Sequence, residues 1–219
     1  MSELDGIERE TGPEPDLSIV WLHGLGADAT DFLPLIGELE LAADVRFVFP
    51  NAPMRPVTIN AGYVMRAWYD IAGFGPDAPE DTVGLSASVA IVRELIDREL
   101  RRGIARDRLV LAGFSQGGAV VLHAGLTERE SIGGIVGLST YLPAAETLAS
   151  SGPIATGTPV MLAHGTEDAV IPIALAEQSA RFLLDRGVGV DWSTYPMGHE
   201  VSFEEIRHLS RWFRRFEAR

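Results

Sequence analysis

The sequence predicts an α/β fold: a doubly wound, mostly parallel sheet of six to seven strands with helices on both faces. Three observations predict it. Apolar runs of strand length recur along the chain, stretches of helical period alternate with them, and most connections are short. The strand runs are near-continuous Val, Ile and Leu, as expected where both faces of a parallel sheet are covered. A chain of 219 residues fits one domain with a substantial core.

Residues 1–16 read as an acidic N-terminal tail, six carboxylates against Arg9, interrupted by Gly12, Pro13 and Pro15. A single domain is expected over residues 17–219. Its strand runs are 17–23, 45–49, 108–112, 132–138, 159–163 and 188–195. Leu85, Val89, Val92, Ile96 and Leu100 recur at helical steps, and Gly103 closes that helix. Residues 118–126 read as the helix after the strand 108–112. Pro172 suits the first turn of the next helix, which ends near Gly187. Ile206, Leu209, Phe213 and Phe216 form one stripe of a terminal helix. Residues 50–81 break the rhythm, with Pro, Gly and aromatics but no strong helical period. Connections of this length without regular structure are uncommon and often functional. Trp68, Tyr69, Ile71 and Phe74 are therefore candidates either for a pocket wall or for a plug at the core's edge.

Composition narrows the chemistry. There is no Cys, and all 18 basic residues are Arg. Thiol nucleophiles, disulfides and Cys-based metal sites are excluded, as are lysine Schiff bases, Ser-Lys dyads and the P-loop lysine. A net charge of −13 repels nucleic acid and anionic membrane surfaces on average. No run approaches the roughly 18 apolar residues that span a membrane, and residues 1–16 lack the apolar core of a signal peptide. A cytoplasmic protein without nucleic-acid partners or a membrane span is the expectation.

Gly113-Phe114-Ser115-Gln116-Gly117 matches G-x-S-x-G. Composition alone would give about 0.14 chance matches, so context decides. The motif sits between a strand and a helix, the setting a nucleophile elbow requires. Serine needs a base, and in this arrangement the partners follow as Ser, then acid, then His. His199 and His208 both lie downstream. His199 falls in a loop at a strand's carboxyl end, where α/β sheets present groups to ligands. His208 lies off the terminal stripe and reads as merely exposed. The loop after residues 159–163 offers Glu167 and Asp168, and spacing leaves both open. Asp185 falls late in a helix and Asp191 inside a strand, so neither is well placed.

Two backbone N–H groups would complete an oxyanion hole: Gln116, next to the nucleophile, and Leu25 in His23-Gly24-Leu25-Gly26 after the first strand. His23 itself reads as structural. Residues 24–29 also satisfy G-x-G-x-x-A, so a dinucleotide-binding oxidoreductase is a rival. That reading needs an acid after the second strand, where Phe49-Pro50-Asn51 stand instead.

With these residues assembled, the chain resembles the phospholipase/carboxylesterase family of α/β-hydrolases, which includes bacterial carboxylesterases and acyl-protein thioesterases. The resemblance runs from about Leu17 to the last helix. It rests on His23-Gly24-Leu25-Gly26, on residues 113–118, on His164-Gly165 with Asp168, and on Gly198-His199. Residues 49–53, 68–70 and 138–141 look like further family stretches. The resemblance implies a hydrolase fold; the chain's length leaves no room for a separate cap domain, and the reading needs no cofactor or metal. It implies Ser115 as nucleophile, His199 as base, Asp168 rather than Glu167 as acid, and Leu25 and Gln116 as oxyanion donors. It also implies substrate contacts from Trp68, Tyr69, Met65 and Tyr141, and it admits a homodimer. The bacterial esterase branch looks nearer than the thioesterase branch, on Ser139-Thr140-Tyr141 and residues 195–200. The activity implied is hydrolysis of small or short-to-medium acyl esters, with a protein thioesterase or lysophospholipase as the alternative.

Overall fold

A computed structural model describes residues 5–73, 78–150 and 152–216. In chain order the elements begin with β1 (Gly6–Glu10), β2 (Leu17–Leu22), α1 (Leu35–Glu38), β3 (Val45–Pro50), β4 (Met54–Val57) and β5 (Tyr63–Arg66). The second stretch holds α2 (Thr82–Arg101), β6 (Leu109–Phe114), α3 (Gln116–Leu126) and β7 (Gly134–Leu138). The last holds α4 (Ala145–Ser150), β8 (Val160–Gly165), α5 (Ile173–Leu184), β9 (Val190–Tyr195) and α6 (Phe203–Phe213). The main sheet has seven strands in the order β1-β3-β2-β6-β7-β8-β9. All its pairings are parallel except that of β1 with β3.

Every residue of β2, β7 and β8 is buried, which is why these strands read as continuous apolar runs. Alternation still sorts their side chains by face. Val20 and Leu22 join the layer formed with α2, α3 and α5, including Val92, Ile96, Val120 and Leu183. Ile19 and Trp21 join the opposite layer with Leu35 of α1 and Leu209, Trp212 and Phe213 of α6. The sheet is thus covered on both sides, as the alternating pattern predicts.

The N-terminal segment departs from expectation. Gly6–Glu10 is not part of a solvated tail but an antiparallel edge strand on β3. Its charge hid it: Gly-Ile-Glu-Arg-Glu lacks the apolar run that marks the inner strands. Those acids are engaged. Glu8 pairs with Arg98 at 2.8 Å and Arg102 at 3.0 Å, Glu10 with Arg46 at 2.8 Å, and Asp16 with Arg108 at 2.6 Å. The irregular stretch 50–81 also carries structure, a two-stranded hairpin of β4 and β5. Four residues per strand were too few to show a period.

Candidate active site

The sequence turns sharply between β6 and α3, and Ser115 sits at the turn with φ 53° and ψ −119°. The left-handed φ is one that L-residues avoid, so surrounding contacts must hold it. Its amide donates to the carbonyl of Leu138 at 2.8 Å, and its carbonyl accepts from Thr140 Oγ1 at 2.7 Å. Glycine is required at both ends. A Cβ on Gly113 would overlap the backbone of Gly117, and one on Gly117 would overlap the carbonyls of Leu22 and His23.

His199 follows β9, and its ring lies 4.8 Å from that of Phe114. Its Nε2 is 2.9 Å from Ser115 Oγ and its Nδ1 is 2.7 Å from Asp168 Oδ2. The other Asp168 oxygen accepts from the amides of Val170 and Ile171, each at 2.8 Å. Burial alone would raise this carboxyl. The His199 hydrogen bond and the Ile171 and Val170 amides outweigh burial and hold it below its ordinary range. Ser115, His199 and Asp168 are thus in one continuous hydrogen-bonded chain. Glu167 is exposed and its amide donates to Met197, whereas Asp168 is buried. Burial separates two neighbours that spacing could not.

The loop after β2 reaches the same point. A Cβ built on Gly24 would meet Ser115 Cβ at 3.5 Å, so the backbone beside Leu25 lies against Ser115. Gln116, the first residue of α3, does more than offer an amide. Its Oε1 accepts from the amide of Trp68 at 2.8 Å, and its Nε2 donates to the carbonyl of Tyr69 at 2.7 Å. This clamp was not read from the sequence, although a buried Gln beside a nucleophile was the available signal. His23 is buried, near Asp168 neither in sequence nor in its bonds. Its Nε2 accepts from the Ala52 amide at 3.0 Å, which leaves Nδ1 to donate to Gly24 O at 2.7 Å. Burial lowers its pKa, against a smaller upward pull from the Gly24 carbonyl. It is a neutral structural group.

The expected substrate contacts divide. Trp68 is wholly buried and donates its indole N–H to the carbonyl of His23 at 2.9 Å. Tyr69 and Ile71 are buried as well. Trp68 is therefore packed beneath the loop that holds Leu25, while Tyr69 lines a small cleft with Ile71, Leu85 and Tyr141. Phe74 lies outside the described residues. Met65 remains at the rim, its sulfur 3.6 Å from a Cβ built on Gly26, and Gly26 N donates to Arg66 O at 2.9 Å. Tyr141 is partly exposed and lines a cavity of about 670 Å³ with Leu142, Leu175 and Phe182. His208 is only partly exposed, and Tyr195 Oη lies 2.8 Å from its Nδ1. Asp191 is 3.7 Å from its other nitrogen. The dinucleotide rival loses its geometry too, because turns rather than a helix follow residues 24–29 and α1 has only four residues.

Comparison with known proteins gives a consistent picture. The family described as phospholipase/carboxylesterase matches residues 7–215. Acyl-protein thioesterase 1 of Gibberella zeae is 36% identical over 210 residues, covering 90% of this chain and 89% of that protein. The crystal structure of Arabidopsis thaliana SOBER1 superposes with a TM-score of 0.86 at 32% identity, covering 91% of this chain and 98% of that one. That of Zea mays acyl-protein thioesterase 2 gives 0.82 at 30% identity, covering 95% and 97%.

Proposed function

The chain belongs to the phospholipase/carboxylesterase family of α/β-hydrolases and is a serine hydrolase of carboxylic esters or thioesters; from that premise we propose that Ser115, His199 and Asp168 are its catalytic triad. The observation that carries the assignment is the chain of hydrogen bonds from Asp168 through His199 to Ser115 Oγ. Ser115 attacks the acyl carbonyl as His199 Nε2 takes its proton. Asp168 holds the imidazole with Nδ1 protonated and stabilises the imidazolium that forms. The amides of Leu25 and Gln116 receive the oxyanion, one such donor being worth roughly 3 kcal/mol in comparable sites. His199 then protonates the departing alkoxide or thiolate, and water repeats the sequence on the acyl-enzyme.

The substrates proposed are small or short-to-medium acyl esters. Support comes from His199, which stays partly exposed beside buried Ser115 and Asp168, with Met65 and Tyr141 proposed as further contacts. Acylated protein is a second reading, favoured by relatives named acyl-protein thioesterase at 36% and 39% identity. Among the described residues no helix is long and apolar enough to cross a membrane. A cytoplasmic setting and a homodimer complete the proposal, for cell fractionation and light scattering to test.

Assay of p-nitrophenyl esters from acetate to palmitate beside an S-acylated peptide tests the function. Turnover of the shorter esters is expected, with a loss of at least about a thousandfold in Ser115→Ala. Undiminished hydrolysis by Ser115→Ala removes the mechanism. Higher kcat/KM on the peptide selects the second reading.

A further inference from the structure

The mechanism gives no part to His164, the penultimate residue of β8, yet it is wholly buried beside Asp168. Its Nε2 lies 2.9 Å from the carbonyl of Ile171 and 3.4 Å from Asp168 Oδ2. A carbonyl can only accept, so the hydrogen must be on Nε2. The bond goes to Ile171, and the same N–H edge faces the carboxylate as a longer electrostatic contact. Nδ1 is left bare and buried, with no hydrogen-bond partner among the described residues. Burial lowers the pKa of this imidazole, against upward pulls from the Ile171 carbonyl and Asp168, while His199 adds to the lowering.

An orphaned buried acceptor costs free energy that an apolar side chain of similar size would not. The compensation must lie in what Nε2–H does. Ile171 is the key to it, because its amide donates to Asp168 Oδ1 while its carbonyl accepts from His164. The loop 168–171 is thereby tied back onto β8 on the acid's own side. Oδ2 then faces two imidazole N–H groups, that of His199 at 2.7 Å and that of His164 at 3.4 Å.

We propose that His164 is a positioning residue for the reaction: its Nε2–H fixes the loop 168–171 and holds Asp168 in the rotamer that presents Oδ2 to His199. The inference rests on the triad reading above. Loss of the donor leaves the Asp168 carboxylate less well held in its ionised form. Its pKa then moves up toward the ordinary range, and its support for the imidazolium that forms on His199 during the reaction weakens.

The test compares His164→Gln, whose amide nitrogen can reach the place of Nε2, with His164→Met and His164→Asn, which cannot supply a donor there. Asp168→Asn and Ser115→Ala serve as controls, all on p-nitrophenyl butyrate. His164→Met and His164→Asn should lose about tenfold in kcat with KM within about twofold. His164→Gln should recover most of the rate. Equal losses in all three variants, or a wild-type rate in His164→Met, overturns the inference. If Asp168→Asn keeps the wild-type rate, the triad reading falls and takes this inference with it. A crippled Asp168→Asn beside an unimpaired His164→Met overturns this inference alone. If Met does not fold, the Gln–Asn comparison decides.

Discussion

Ser115 holds its φ of 53° because its hydrogen bonds to Leu138 and Thr140 hold the turn, not because serine favours it. Such strain costs about 1–3 kcal/mol and is relieved by glycine, which reaches positive φ freely. Ser115→Gly should therefore be more stable than Ser115→Ala by about 1 kcal/mol in denaturant unfolding. Equal stability would mean that the turn is unstrained. At this scale the sequence was a good guide to Ser115 and His199, since motif and loop position single them out. It could not separate Glu167 from Asp168 by spacing, because the difference is burial, a property of the folded loop. It left Trp68 and Tyr69 open for a related reason: aromatic residues in an irregular segment line pockets or fill cores, and only packing tells which.

At the scale of elements, α6 carries an unusual group. Glu205 lies in its first turn, fully buried, and among the described residues neither of its carboxyl oxygens has a hydrogen-bond partner. Burial pushes its pKa up to about 8, with only a partial offset from the Ser202 backbone. A folded-state pKa above the unfolded value of 4.5 means that the native state prefers the proton. Stability is then full below about pH 4.5 and falls as pH rises through about 8. Glu205→Gln removes that dependence. Its advantage over wild type should grow between pH 5 and pH 9 by on the order of a few kcal/mol, read as a widening gap in Tm. A gap equal at both pH values would contradict the burial account. The edge strand β1 teaches a different lesson. Charge read as solvated is spent on contacts, with Glu99 of α2 fully buried and receiving Ser18, Arg46 and Arg102 beneath it. Side-chain patterning showed the inner parallel strands but not a strand held by ion pairs.

For the whole molecule, both the parallel sheet and its two helical layers were legible, because full burial writes continuous apolar runs and amphipathic helices into the chain. Strand–helix alternation also predicted the edge of the sheet at which the candidate site residues meet. Ser115, Asp168 and His199 come from loops after β6, β8 and β9, all at the carboxyl edge of one sheet. What composition and period could not supply was the short β4–β5 hairpin and the polar clamps, such as Gln116 on the 68–69 backbone, that join these loops. The central claim, a nucleophilic serine at the β6–α3 turn, is tested most directly by a fluorophosphonate probe followed by peptide mass mapping. A single adduct on Ser115, lost in Ser115→Ala and strongly slowed in His199→Ala, is the predicted result. Labelling that persists in Ser115→Ala, or an adduct mapped to another residue, would contradict the account.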